Sequence, residues 1–167
     1  EVGYGALSIE GVAARAGVGK PTIYRRYRSK AELVFATAIH PLELGSAPDT
    51  GSLEGDLVAL IQAIVDIFQR PAAARAVPGL IEDVSRDPEL ARRFRDRFVE
   101  PERQWVGEIL DRAVERGELG VRPDPDVVHA LLLGPVFSWI FLARNPVRRG
   151  LAKQLAEHVC SAIVVAR

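Results

Sequence analysis

The chain has 167 residues, 48% of them hydrophobic, and a formal net charge of zero; this allows a sizeable core and excludes both a disordered chain and one coated in nucleic acid. A lone cysteine, Cys160, excludes an intrachain disulfide and fits a reducing, cytoplasmic compartment. No charged start followed by an apolar run marks a secretory signal, and the longest uncharged apolar run, Ala130–Ala143, is at 14 residues too short to cross a bilayer.

Every pattern along the chain is helical, with no strand alternation and no Asn-Gly or Asp-Gly hairpin. Ser8 caps a short helix whose Ile9, Val12, Ala13 and Ala16 share one face, and Gly17 ends it as a residue that tolerates positive φ. Val18 is expected to plug inward. Pro21 opens a second short helix to about Tyr27, with Ile23 and Tyr27 as its inward pair. Ser29-Lys30-Ala31-Glu32 is a capping box for a third helix to about Ile39. A polar connection runs from His40-Pro41 to Gly51-Ser52. A long amphipathic helix follows, striped by Leu53, Leu57, Leu60, Ile61, Ile64 and Phe68, until Pro71 stops it. The next helix spans about Ala73 to Arg86, with a break expected near Pro78-Gly79. Asp87-Pro88 starts a long segment with Phe94, Phe98, Trp105, Ile109 and Ala113 inward and a kink at Pro101. After a loop from Gly117 to Pro125, two final helices are expected over about Asp126–Arg144 and Val147–Ala166.

Charge is unevenly distributed. The first forty residues hold six basic side chains (Arg15, Lys20, Arg25, Arg26, Arg28, Lys30) and three acids (Glu1, Glu10, Glu32), so the remainder of this neutral chain is acidic by three. A local basic patch on such a body is the footprint of a small DNA-reading module, although charge alone fits a solvated helix face equally well. The spacing decides more. Two helices of about eight residues joined by a glycine turn make a helix-turn-helix, with small Ala13 where they cross and Val12, Ala16, Val18, Ile23 and Tyr27 filling the wedge. The second helix then projects Lys20, Thr22, Arg25 and Arg26 toward a major groove.

The stretch Leu7 to Ala38 resembles the DNA-binding region of the TetR family of repressors. The residues that carry the resemblance are Ile9-x-x-Val12-Ala13-x-x-Ala16-Gly17-Val18, Thr22-Ile23-Tyr24 and Ser29-Lys30-x-x-Leu33. The resemblance implies base-facing roles for Lys20, Pro21, Thr22 and Arg25, and phosphate contacts at Tyr24 and Lys30, with Ser8 capping near the backbone and Arg26, Tyr27 and Arg28 as further phosphate contacts. Three features depart from the family pattern. Most of the first helix and any basic arm are missing ahead of Glu1, Gly19 replaces a serine cap, and arginines flank Tyr24 where aromatics are common. The sequence, which contains no methionine, reads as one trimmed at its front.

The implied organisation is all-α: an N-terminal helix-turn-helix domain over residues 1–40 with its first helix truncated, and a C-terminal helical ligand-binding and dimerisation domain over 41–167. The implied partners are a pseudo-palindromic double-stranded operator, a second copy of the chain and a small apolar or amphipathic effector, with no membrane and no cofactor. Candidate pocket residues are Ile64, Phe68, Phe94, Phe98, Trp105, Ile109 and Phe137, any of which can equally be plain core, with Gln104 and His129 as polar anchors or surface residues. The segment Leu131–Leu142 is apolar on all sides and needs cover on both faces. It is either the central helix of a monomer or, with Leu151 and the last helix, half of a four-helix dimer seam formed by Leu132, Val136, Trp139, Ile140, Leu155, Val159 and Ile163.

Other chemistries fit poorly. Gly17-Val18-Gly19-Lys20-Pro21-Thr22 superficially resembles a phosphate loop, but Ala14 and Pro21 stand where that loop needs Gly and Ser or Thr. His40, His129, His158 and Cys160 are spread along the chain, and the pair two apart points to different helix faces, so no metal site is expected. No nucleophile–base set or paired carboxylates suggest an enzyme. The reading is therefore a ligand-released transcriptional repressor; the alternative is a helical small-molecule-binding or interaction dimer without specific operator binding.

Overall fold

The computed structural model describes residues 4–39 and 46–164. His40 and the start of the expected connection lie outside them. The architecture is all-α, and no strand occurs among the described residues.

A 3-10 turn, Tyr4–Ala6, precedes α1 (Ile9–Ala16), α2 (Lys20–Tyr24) and α3 (Lys30–Val34), which continues as a π turn over Phe35–Ile39. Then come α4 (Leu53–Gln69), α5 (Pro71–Arg86), α6 (Pro88–Phe94) with a π turn over Arg95–Val99, α7 (Glu100–Glu115), α8 (Pro125–Phe137) with a π turn over Ser138–Leu142, and α9 (Leu151–Val164).

Local chemistry accounts for most boundaries. Ser8, Ser29, Asp87 and Asp124 each accept a hydrogen bond from a backbone N–H in the first turn of α1, α3, α6 and α8. Pro71, Pro88 and Pro125 take the first helical position, where no donor is needed. Two of the wide turns lie beside a proline. Pro101 cannot donate to the carbonyl of Arg97, nor Pro135 to that of Leu131, and the ladder loosens nearby. In the third, Thr37 Oγ1 donates to the carbonyl of Leu33 at 2.7 Å, diverting that acceptor.

Several expectations need correction. The break at Pro78-Gly79 does not occur, and α5 runs through Pro78. On α4 it is Val65, 1% exposed, rather than half-buried Ile64 that continues the inner stripe. The last helix begins at Leu151, because residues 143–150 form a loop with positive φ at Arg144 and Gly150.

The chain divides into two compact units, residues 1–43 with 69–96 and residues 44–68 with 97–167. Residues 69–96 thus pack with the N-terminal helices, whereas the sequence reading assigned them to the body. In the first unit, α5 packs on the 3-10 turn, α3 and its π turn, and α6. In the second, α8 packs on both α7 and α9. The core of the second unit includes Leu57, Ile61, Val106, Ile109, Leu110, Val128, Leu132 and Val136, all at most 2% exposed.

Candidate nucleic-acid interface

The helix-turn-helix stands on a small apolar wedge. Ile9 and Ala13 of α1, Ile23 of α2 and Leu33 of α3 are buried together, with Val12 and Tyr27 packed against them. Ala13 keeps only 3% of its surface exposed, so the helices cross closely there. Gly17 caps α1 at φ 66°, and its N–H reaches the α1 carbonyls. Ala16 and Val18 were expected in the wedge but are exposed, Val18 at 41%. The αL turn at Gly17 carries the chain outward before α2 begins.

Burying Ile23 fixes which side of α2 faces out. Lys20, Pro21, Thr22, Tyr24, Arg25 and Arg26 are all exposed, and Pro21, Thr22 and Arg25 lie at helical spacing on one side. Regular helix ends at Tyr24, earlier than expected, but N–H groups of Arg25 and Tyr27 still bond the carbonyls of Pro21 and Ile23 at 3.0 and 2.8 Å. The helical course therefore extends through Tyr27 as a turn.

The basic groups are not all equally available. Lys20 Nζ pairs with Glu10 Oε1 at 3.1 Å in an exposed bridge. The Glu10 carboxyl is held below its usual range, first by its own backbone N–H at the start of α1 and then by Lys20. Arg26 lies over the Tyr27 ring, 5.9 Å from its centroid. Lys30 is half-buried; its Nζ lies 4.2 Å from the Tyr4 ring centroid and donates to the Tyr4 carbonyl at 3.3 Å. Tyr4 in turn donates its hydroxyl to Asp83 Oδ2 at 2.5 Å. Arg28 is exposed, and Ser8 Oγ is committed to the Gly11 N–H at 3.1 Å.

The expected body residues scatter. Phe94 belongs to the first unit, where its ring meets Phe35 edge-on at 4.4 Å. In the second unit Phe98 and Ile109 are core, at 4% and 0% exposure. Ile64, Trp105 and Phe137 are half-buried, and Phe141 contacts both Phe68 at 5.1 Å and Phe137 at 5.2 Å. Gln104 is exposed and lines an open, polar cleft of about 440 Å³ with Glu100, Arg103, Glu108, Asp111, Arg122 and Asp126. It does not stand among the aromatic rings. His129 Nε2 is 3.1 Å from Glu102 Oε2, and His158 Nδ1 is 2.6 Å from the Gln154 carbonyl.

The expected seam is split. Leu132, Val136, Val159 and Ile163 are covered by their own chain, while Trp139, Ile140 and Leu155 are half-buried. Trp139 donates its indole N–H to the Pro146 carbonyl at 3.1 Å. The large apolar residues that α8 and its π turn leave exposed are Val127, Leu131 and Leu142, at 56%, 37% and 71%. Helical course from Pro125 to Leu142 covers 18 residues of mean hydropathy 1.5 with 17% buried, so by length and composition alone it is long and apolar enough to cross a membrane.

Residues 1–37 match the family described as bacterial regulatory proteins, tetR family, and residues 47–159 match the tetracyclin repressor-like C-terminal domain. The chain belongs to the TetR family of transcriptional regulators. Regulators of this family bind DNA and dimerise. An uncharacterized HTH-type transcriptional regulator of Mycobacterium tuberculosis strain H37Rv is 34% identical to this TetR-family chain over 161 residues, covering 95% of it and 78% of the relative. The DNA-binding transcriptional repressor TetR of Mycobacteroides abscessus is 36% identical over 132 residues, 76% of this chain and 67% of the relative. Among solved structures, a TetR family transcription regulator superposes with TM-score 0.77 at 28% identity, over 96% of this chain and 88% of its own.

Sequence reasoning gave no site role to Tyr4, which receives Lys30, or to Glu32 and Arg93, whose Oε1 and Nε lie 3.1 Å apart beside the helix-turn-helix. Glu32 carried a signal as the fourth residue of the capping box. Arg93, 61 residues away, carried none.

Proposed function

We propose that this regulator is a dimeric, cytoplasmic repressor that reads a pseudo-palindromic operator with α2 and is released by a small apolar or amphipathic molecule. The observation that carries this reading is the outer side of α2: Lys20, Pro21, Thr22 and Arg25 exposed together, on a helix held by buried Ile23. In this reading these four residues meet base edges, while Tyr24, Arg26, Tyr27, Arg28 and Lys30 line the phosphates, with Ser8 nearby as the cap of α1. In this reading residues 1–40 carry DNA binding, on a unit that also includes residues 69–96, and the rest of 41–167 carries ligand binding and dimerisation.

The exposed Val127, Leu131 and Leu142 support a dimer face on α8, displaced from the seam first expected, with a second copy of the chain as its cover. The half-buried rings of Phe137 and Phe141 beside Phe68 support an apolar effector site in the second unit.

The test is selection of short duplexes with random centres by the protein at physiological salt, followed by anisotropy titration. The proposal expects a two-fold-symmetric site preferred about 10³-fold or more over random DNA. Salt-sensitive binding with no enriched site would reduce α2 to a basic patch.

A further inference from the structure

Two charged side chains are buried among the described residues, Asp56 and Glu32. Asp56 serves the second unit. Glu32 lies in the first, 3% exposed, at the start of α3. A capping box would return its carboxylate to the N–H of Ser29. Instead Oε2 accepts from the N–H of Arg28 at 2.9 Å, one residue earlier, in the turn that follows α2. The other oxygen, Oε1, accepts from Arg93 Nε on α6 at 3.1 Å. One carboxylate thus joins the backbone at the end of the recognition segment to a helix from the far part of the sequence.

An ion pair with one buried and one partly exposed member is weak evidence for stability, because desolvation of the carboxylate offsets the attraction; what it supplies is a fixed arrangement. Arg93 also has an alternative. Its Nη1 meets Glu89 Oε1 at 2.5 Å, and Glu89 is well exposed. Breaking the Glu32 contact would still leave Arg93 paired with Glu89.

We propose that Glu32 and Arg93 form a latch that sets the position of the recognition helix, so that release of Arg93 weakens DNA binding. Both are positioning residues, acting through the Arg28 backbone. The proposal rests on the DNA-binding reading above.

The test uses the full chain and the symmetric duplex that the wild-type protein enriches from a random pool. Arg93→Gln should lower affinity about tenfold, within the usual range of coupling between sites, with the salt slope unchanged because no phosphate contact is lost. Glu32→Gln, which keeps an acceptor for Arg28 but no charge for Arg93, should do the same. Glu89→Gln should change affinity less than about twofold, and Arg93→Lys, which keeps the charge but not the fork that reaches Glu32 and Glu89 together, should recover only part of the loss. Lower melting temperatures with unaltered affinity for both Gln variants would make the pair merely structural and overturn the latch. A salt slope reduced by about one unit in Arg93→Gln would place Arg93 on a phosphate and overturn it too. If the wild-type protein enriches no duplex, the DNA-binding reading itself fails and takes the latch with it.

Discussion

Tyr4 shows how much one side chain organises in the first unit. Its ring receives Lys30, its carbonyl accepts from the same ammonium, and its hydroxyl bonds Asp83. Burial, followed by the Asp83 carboxylate, raises the phenol well above the ordinary tyrosine range. A raised native pKa favours the protonated form, so its stabilising contribution is complete below the unfolded value near about 10 and is lost as pH rises beyond it. Urea melts from pH 8 to 11 should therefore show the wild-type protein losing more stability above about pH 10 than Tyr4→Phe, which should itself cost ~1 kcal/mol at pH 7. Parallel pH profiles would remove the phenol from that role. The same ring explains Gly79, where an added Cβ would fall 2.3 Å from Tyr4 Cδ1. Alanine is the better helix former by about 1 kcal/mol, yet Gly79→Ala should lower the melting temperature, since Tyr4 must leave. Cys160 gives a third residue-scale expectation. Burial, then Glu54 and Glu118, push its thiol up to about 11. At pH 8 the native thiolate is then roughly a hundredfold scarcer than in the unfolded chain, and iodoacetamide should label native protein slower by that order.

At the scale of elements, the legible features are those decided within one helical turn. Ser8, Gly17, Pro21, Ser29, Pro71 and Asp87 mark helix ends through caps and missing donors, and the structure uses each as its local chemistry suggests. The wedge of Ile9, Ala13 and Ile23 follows from helical spacing alone. What the sequence hides is polar chemistry between distant segments. Nothing near Asp56 announces that it is wholly buried at the start of α4, accepting from the N–H and hydroxyl of Thr50 at 2.6 and 2.8 Å, with Arg116 and Arg112 at 3.5 and 3.8 Å. Glu118 likewise accepts from the N–H of Leu53 at 2.7 Å while pairing with Arg116, and Arg112 reaches the Pro48 carbonyl. These contacts tie the chain entering α4 to the end of α7. Asp56→Ala would take the acceptor from the Thr50 N–H and hydroxyl and the shared anion from two partly exposed guanidinium groups, and should cost about 1–3 kcal/mol by denaturant titration. A loss under ~1 kcal/mol would mean that water or Asp49 replaces the carboxylate. Val18 and Ala16 failed for the opposite reason. Val18 continues the apolar pattern, but the αL turn at Gly17 ends the helix that would have carried it inward, while Ala16 is the last residue of α1 and stays exposed there.

For the whole molecule, the question is what covers α8. Apolarity on all sides was readable in the sequence, but which face the chain covers for itself was not, because that depends on where α7 and α9 lie. Both pack on α8 and bury Val128, Leu132 and Val136, leaving Val127, Leu131 and, on the adjoining π turn, Leu142 in solvent. The two faces should respond differently to the same substitution. Leu132→Arg would bury an unpaired charge in the core and should prevent folding. Leu131→Arg sits outside that core, so circular dichroism should show its helices intact. If a second copy covers this face, the charge is buried only in the dimer, and light scattering should give a mass near 18.3 kDa instead of twice that. Such a monomer would retain one recognition helix and lose the preference for symmetric over single half-site duplexes, since that preference requires two helices held one DNA turn apart. An unchanged dimer mass for Leu131→Arg would place the interface away from this face. A monomer that still preferred the symmetric duplex would show that dimers assemble on DNA.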